Sequence, residues 1–148
     1  MDRNCGSPLC LRGAVGFIAG RLQQMPPIRQ IAQQDVLEGY ALSLQANNAL
    51  HRGDTVAANT FSIESETYLF SAITPLERLG IHNAAPILTS VQQAEYDVVH
   101  GKATAHERQV LGTFHHAFLP YSHDGFGTIP QSRFQAALSR VQAAINNN

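Results

Sequence analysis

The 148-residue chain is 44% hydrophobic and 14% charged, which is enough apolar content to bury one core and too much for wholesale disorder. Ten Lys/Arg stand against eleven Asp/Glu, and Lys102 is the single lysine among the cations. That balance argues against a nucleic-acid binder built on clustered positive charge and against a polybasic membrane surface. Two cysteines, Cys5 and Cys10, argue against a disulfide framework.

Residues 1–27 end at the Pro26-Pro27 break and form a leader ahead of a helical domain spanning 28–148. The leader's apolar run between Arg12 and Arg21 is eight residues, far short of the roughly 20 that span a bilayer. Leu11, Val15, Ile18, Leu22 and Met25 recur at helical spacing, while Gly13, Gly16 and Gly20 each weaken a helix by about 1 kcal/mol relative to alanine. Three readings stay open here: a mobile leader, a short amphipathic helix docked on the domain, and a membrane or secretion signal.

The domain opens with a helical pattern from Ile28 to Leu50, carrying Leu37, Tyr40, Ala41 and Leu44 on one stripe. Asp35 and Glu38 are spaced as a capping box that could restart it, and Gly53 stops it. A second helix is expected from Ser62, bearing Ile63, Phe70 and Ile73. Thr74-Pro75-Leu76-Glu77 reads as a fresh start that Gly80 closes. A third runs from Ala85 to His100 with Ile87, Val91, Ala94 and Val98 on one face and Gly101 after it. Thr104 and Glu107 form a capping box for a helix with Val110, Leu111, Phe114, Ala117 and Phe118 inward. The last spans Pro130 to Ile145, with Phe134, Ala137, Leu138, Val141 and Ile145. Period-2 alternation hardly occurs, so the expected fold is all-α, five to six helices around one core.

Within Thr113–Leu138, Phe114, Ala117, Phe118 and Tyr121 precede a loop with Asp124, Gly125, Gly127, Thr128 and Ile129, and Phe134 and Leu138 follow it. This segment resembles an EF-hand, the helix–loop–helix unit of calmodulin-like proteins, over about a fifth of the chain. The resemblance places Gly127 at the sharp turn and Ile129 where paired loops form a short β-bridge. It also gives the liganding places of a Ser122–Arg133 loop to Ser122, Asp124, Phe126, the Thr128 carbonyl, Pro130 and Arg133. Calcium wants six to eight hard oxygens with a bidentate glutamate in the last place, and here that place holds a guanidinium. The unit is therefore expected to be calcium-blind. A partner loop, for which Asp54–Ser65 offers a weaker match, rests on Asp54, Asn59 and Phe61.

Five of seven histidines, His100, His106, His115, His116 and His123, fall close together in sequence. They lack recognised zinc-ligand spacing, and adjacent His115 and His116 cannot face one ion from the same helix. Asp97 and His100 share a helix face, without the second Glu-x-x-His that a di-iron bundle needs. No nucleophile elbow, phosphate-cradling glycine loop or zinc-protease motif occurs.

The expectation is a cytoplasmic, non-enzymatic helical adaptor without metal or cofactor. Its partner is a protein, either an amphipathic helix or a second subunit, held in an apolar groove lined by Phe114, Phe118, Tyr121, Phe134 and Leu138, with core the default for any one of these. With so few charges, that association is expected to respond little to salt. The alternative is a calcium- or zinc-responsive protein or pH sensor using the Ser122–Arg133 loop or the His100–His123 cluster.

Overall fold

The computed structural model describes residues 27–122 and 129–147. Among them run five α-helices and no strand: α1 (Ile28–His51), α2 (Thr55–Arg78), α3 (Ala84–Val99), α4 (Ala105–Phe118) and α5 (Gln131–Asn146), with a 3-10 turn at Leu119–Tyr121 after α4. Helices that follow one another pack together, and α5 also reaches back to α3. The expected all-α class and its single core are observed; the leader lies outside the described residues.

Local chemistry explains most of the boundaries. Three glycines that follow helix ends, Gly53, Gly80 and Gly101, adopt φ of 79°, 92° and 72°, a region other residues resist. The Thr104 hydroxyl accepts from the Glu107 backbone N–H and the Glu107 carboxylate accepts from that of Thr104, the expected capping box. No restart occurs at Asp35. Ala32, Val36, Leu37, Tyr40, Ser43, Ala46 and Ala49 bury one unbroken stripe along α1, so packing holds the helix through the polar pair.

Three expectations change in α2. Asp54 is its N-cap, with Oδ1 accepting from the Ala57 N–H at 3.0 Å, so the helix begins well before Ser62. Asp54–Ser65, the weaker of the two loop matches, is accordingly the cap and first half of a helix. Nor does α2 break at Thr74-Pro75. Pro75 lies in its last turn, where it costs the Ser71 carbonyl its helical partner, and exposed Ser71 has solvent at hand.

α1 and α2 form an antiparallel hairpin with a very close approach at Gly39. A Cβ there would lie 2.6 Å from Leu69 Cδ2 and 3.2 Å from the Ser65 carbonyl oxygen. Ser65 Oγ uses that proximity to donate to the Gly39 carbonyl at 2.7 Å. An aromatic chain fills the middle of the bundle. Ring centroids are 5.9 Å apart for Tyr40–Phe114, 5.4 Å for Phe114–Phe118 and 5.6 Å for Phe118–Phe134. Buried Ile129 closes the end of the core, its carbonyl accepting from Gln33 Nε2 at 2.9 Å.

Candidate functional site

The five residues expected to bind a partner divide clearly. Phe114, Phe118, Phe134 and Leu138 are buried in the core and present no surface. Tyr121 alone is half-buried, on the wall of a cleft of about 270 Å³ formed with Leu37, Tyr40, Ala41, Leu44 and Gln45. α4, the 3-10 turn and α5 follow one another as helix, connector and helix, but Asp124 to Thr128 lie outside the described residues. Pro130 is the N-cap of α5 and Arg133 stands in its first turn.

The histidines point to different places. His100 stacks on Tyr96 with Nδ1 2.8 Å from the Tyr96 carbonyl, and His106 Nε2 is 3.0 Å from the Ala144 carbonyl at the end of α5. His115 turns inward, Nε2 2.8 Å from Ser43 Oγ, whereas His116 faces outward, 3.3 Å from Arg140. His123 lies outside the described residues. Among the described residues no three His, Cys, Asp or Glu side chains converge as a metal site would require.

A buried polar cluster joins α1 to α4. Glu95 on α3 is 1% exposed, and neither of its carboxyl oxygens has a hydrogen-bond partner. Burial pushes it up to about 8, with the Ser43 and Ser65 hydroxyls pulling it partly back and the charge of Glu66 adding to the rise. Burial likewise holds His115 down to about 4. Both groups are therefore neutral at pH 7, the state an apolar interior tolerates. The Ser43–His115 pair has the spacing of a nucleophile and its base, yet Ser43 is sealed from solvent and so weakly basic an imidazole accepts a proton poorly. This cluster is part of the folded interior.

The unusual surface lies on α2. Its inward seam is Ala58, Ser62, Ser65, Leu69, Ala72 and Leu76, spaced alternately by four and three residues. Half a turn away lies a second seam with the same alternation, Val56, Thr60, Ile63, Thr67, Phe70 and Thr74, directly opposite the core. On it Val56 is 77% exposed, Ile63 55% and Phe70 69%. Ile63 and Phe70, expected on a helix from Ser62, thus face out. Glu64 and Glu66 edge this seam on its two sides, and between it and α1 opens a cleft of about 470 Å³ lined by Glu38, Leu42, Ile63, Glu64, Thr67 and Tyr68. A helix with apolar residues at seven-residue intervals on two opposite faces has one seam more than its own fold uses.

No protein-family model, curated protein or solved structure matches the chain. No described helix is long and apolar enough to cross a membrane.

Proposed function

We propose that this chain is a non-enzymatic helical interaction protein whose docking surface is the outer seam of α2 with its flanking cleft. The occupant is an amphipathic helix with an apolar four-three seam and basic flanks. The observation that carries this is the exposure of Val56, Ile63 and Phe70 at seven-residue spacing on the face opposite the core. Large exposed apolar side chains in register on one helix form the surface onto which a second helix packs. Acidic side chains at Glu38 and Glu64, which line the cleft, favour basic positions beside the incoming seam. In this role the EF-hand-like α4–α5 pair is scaffold: the aromatic residues that would line an open groove are spent inside, and Arg133 stands where a calcium carboxylate would be needed.

The test is a fluorescence-anisotropy titration with a labelled helical peptide carrying Leu and Ile on a four-three seam and Arg beside it. Saturable binding is expected, weakened by Ile63→Asp and by exchanging the peptide's arginines for glutamates. Raising salt from low to physiological should weaken it less than about tenfold, since exposed ion pairs contribute little. Equal binding of the arginine and glutamate peptides to parent and Ile63→Asp protein would contradict the proposal.

A further inference from the structure

We propose that a small cleft between α1, α3 and α4 binds a small monocarboxylate with a short apolar body. The cleft measures about 180 Å³, below the roughly 300–1,000 Å³ of sites for drug-sized ligands. None of its lining comes from α2, so the site stands or falls separately from the docking surface.

The spacing of α4 builds one wall. Arg108, Leu111, Gly112 and His115 fall at i, i+3, i+4 and i+7, a single stripe, and Asn47 of α1 and Val98 of α3 complete the lining. Arg108 Nη1 donates to the Ala103 carbonyl at 2.7 Å, which steadies the guanidinium and leaves its other N–H groups for a ligand. Among the described residues no carboxylate lines the cleft, so its charge is positive.

A buried hydrogen bond sets the chemistry of His115. The Gly39 carbonyl, one turn before Ser43 on α1, accepts from Ser65 Oγ, so the Ser43 hydroxyl donates to His115 Nε2 at 2.8 Å. A neutral imidazole carries one ring proton, and this pairing leaves it on Nδ1, the ring's remaining donor. Arg108 then supplies charge, His115 and the Asn47 amide supply further donors, and Val98 and Leu111 supply apolar contact. That set suits a carboxylate on a short hydrocarbon body.

Gly112 is the independent sign of an occupant. Glycine inside a helix weakens it relative to alanine, and it is kept where another group approaches the backbone closely. Gly39 has such a group in Leu69, but a Cβ on Gly112 would meet nothing within 4 Å among the described residues. The open space beside Gly112 is the cleft, and a ligand there gives the missing side chain its reason.

The test is an amide-resolved NMR titration of the full chain with butyrate, and with butyramide as its uncharged counterpart. Butyrate should give saturable shifts centred on Asn47, Gly112 and His115, with a dissociation constant of about millimolar order. Butyramide should bind at least about fivefold more weakly, and Arg108→Gln should weaken butyrate by a similar factor. Gly112→Leu should fill the cleft and abolish the shifts while its thermal midpoint equals or exceeds the parent's. Absence of saturable shifts, shifts centred elsewhere, equal affinity for the two compounds, or undiminished butyrate binding by Arg108→Gln or Gly112→Leu overturns the inference. None of these results bears on peptide binding at α2.

Discussion

The α4–α5 pair and helix α2 carry the same kind of apolar pattern and use it in opposite ways. Phe114, Phe118, Phe134 and Leu138 are all buried, so the C-terminal pair presents none of its large aromatic side chains to solvent. α2 buries small and aliphatic side chains on one seam and exposes Val56, Ile63 and Phe70 on the other. An apolar repeat therefore marks a helix face that needs a neighbour, and only the arrangement of the other helices shows whether the chain supplies one.

The sharpest way to break this comparison is to remove one aromatic from each region. Phe134→Ala should cost about 3–5 kcal/mol in urea unfolding, because the ring is fully enclosed beside Phe118. Phe70→Ala should change stability by less than about 0.5 kcal/mol. Similar losses at the two positions would mean that the outer seam of α2 contributes to the fold and is not reserved for docking.

A second difference lies in the interior itself, aromatic around α4 and α5 but polar where Ser43, Ser65 and Glu95 meet. Glu95 sits at about 8 in the folded protein against an ordinary 4.5, so the fold holds that proton more tightly and loses stability as pH rises from 4.5 through 8. His115, at about 4 against 6.5, acts on the other side: its contribution is present above 6.5 and lost as pH falls through 4. Stability should be flat between about pH 4.5 and 6.5 and then fall by roughly 2 kcal/mol on the way to pH 8. Glu95→Gln should remove most of that alkaline fall and leave the protein more stable than its parent at pH 8. A parent profile that stays level from pH 6.5 to 8 would show that the carboxyl is not held neutral.

The close face of α2 is sharpened by Gly39→Ala. The added methyl group would press on buried Leu69 and on the Ser65 backbone, so a loss of about 1–3 kcal/mol is expected, without effect on probe binding at the outer face. The smallest effect belongs to the helix starts. Thr104→Ala should cost about 1 kcal/mol, and Asp54→Ala about the same, each measured as a shift in urea midpoint with unchanged slope.

Much of this architecture was legible in the chain. Thr104 and Glu107 announced the start of α4, Pro130 the start of α5, and Gly53, Gly80 and Gly101 the turns, because caps and positive φ are decided by a few adjacent atoms. The misplaced elements were those settled by distant ones. Asp54 looked like a loop ligand and Pro75 like a start, until the rest of α2 packed on α1, leaving Asp54 as the cap and carrying the helix through Pro75. The division of the five expected partner-binding residues into four core side chains and Tyr121 depends on how α4 and α5 close over α1, and no local pattern encodes that. The outward direction of Ile63 and Phe70 was hidden for a different reason: with α2 taken to begin at Ser62, too few turns remained to reveal two opposite seams.

The central claim, that the outer seam of α2 is kept for a partner, is met most directly by one variant measured two ways. Phe70→Asp places a charge on the seam at a side chain that is 69% exposed. Its thermal unfolding should match the parent's closely, while its affinity for the basic amphipathic peptide falls at least about tenfold. A variant that binds the peptide as tightly as the parent, or that loses its fold, would contradict the account.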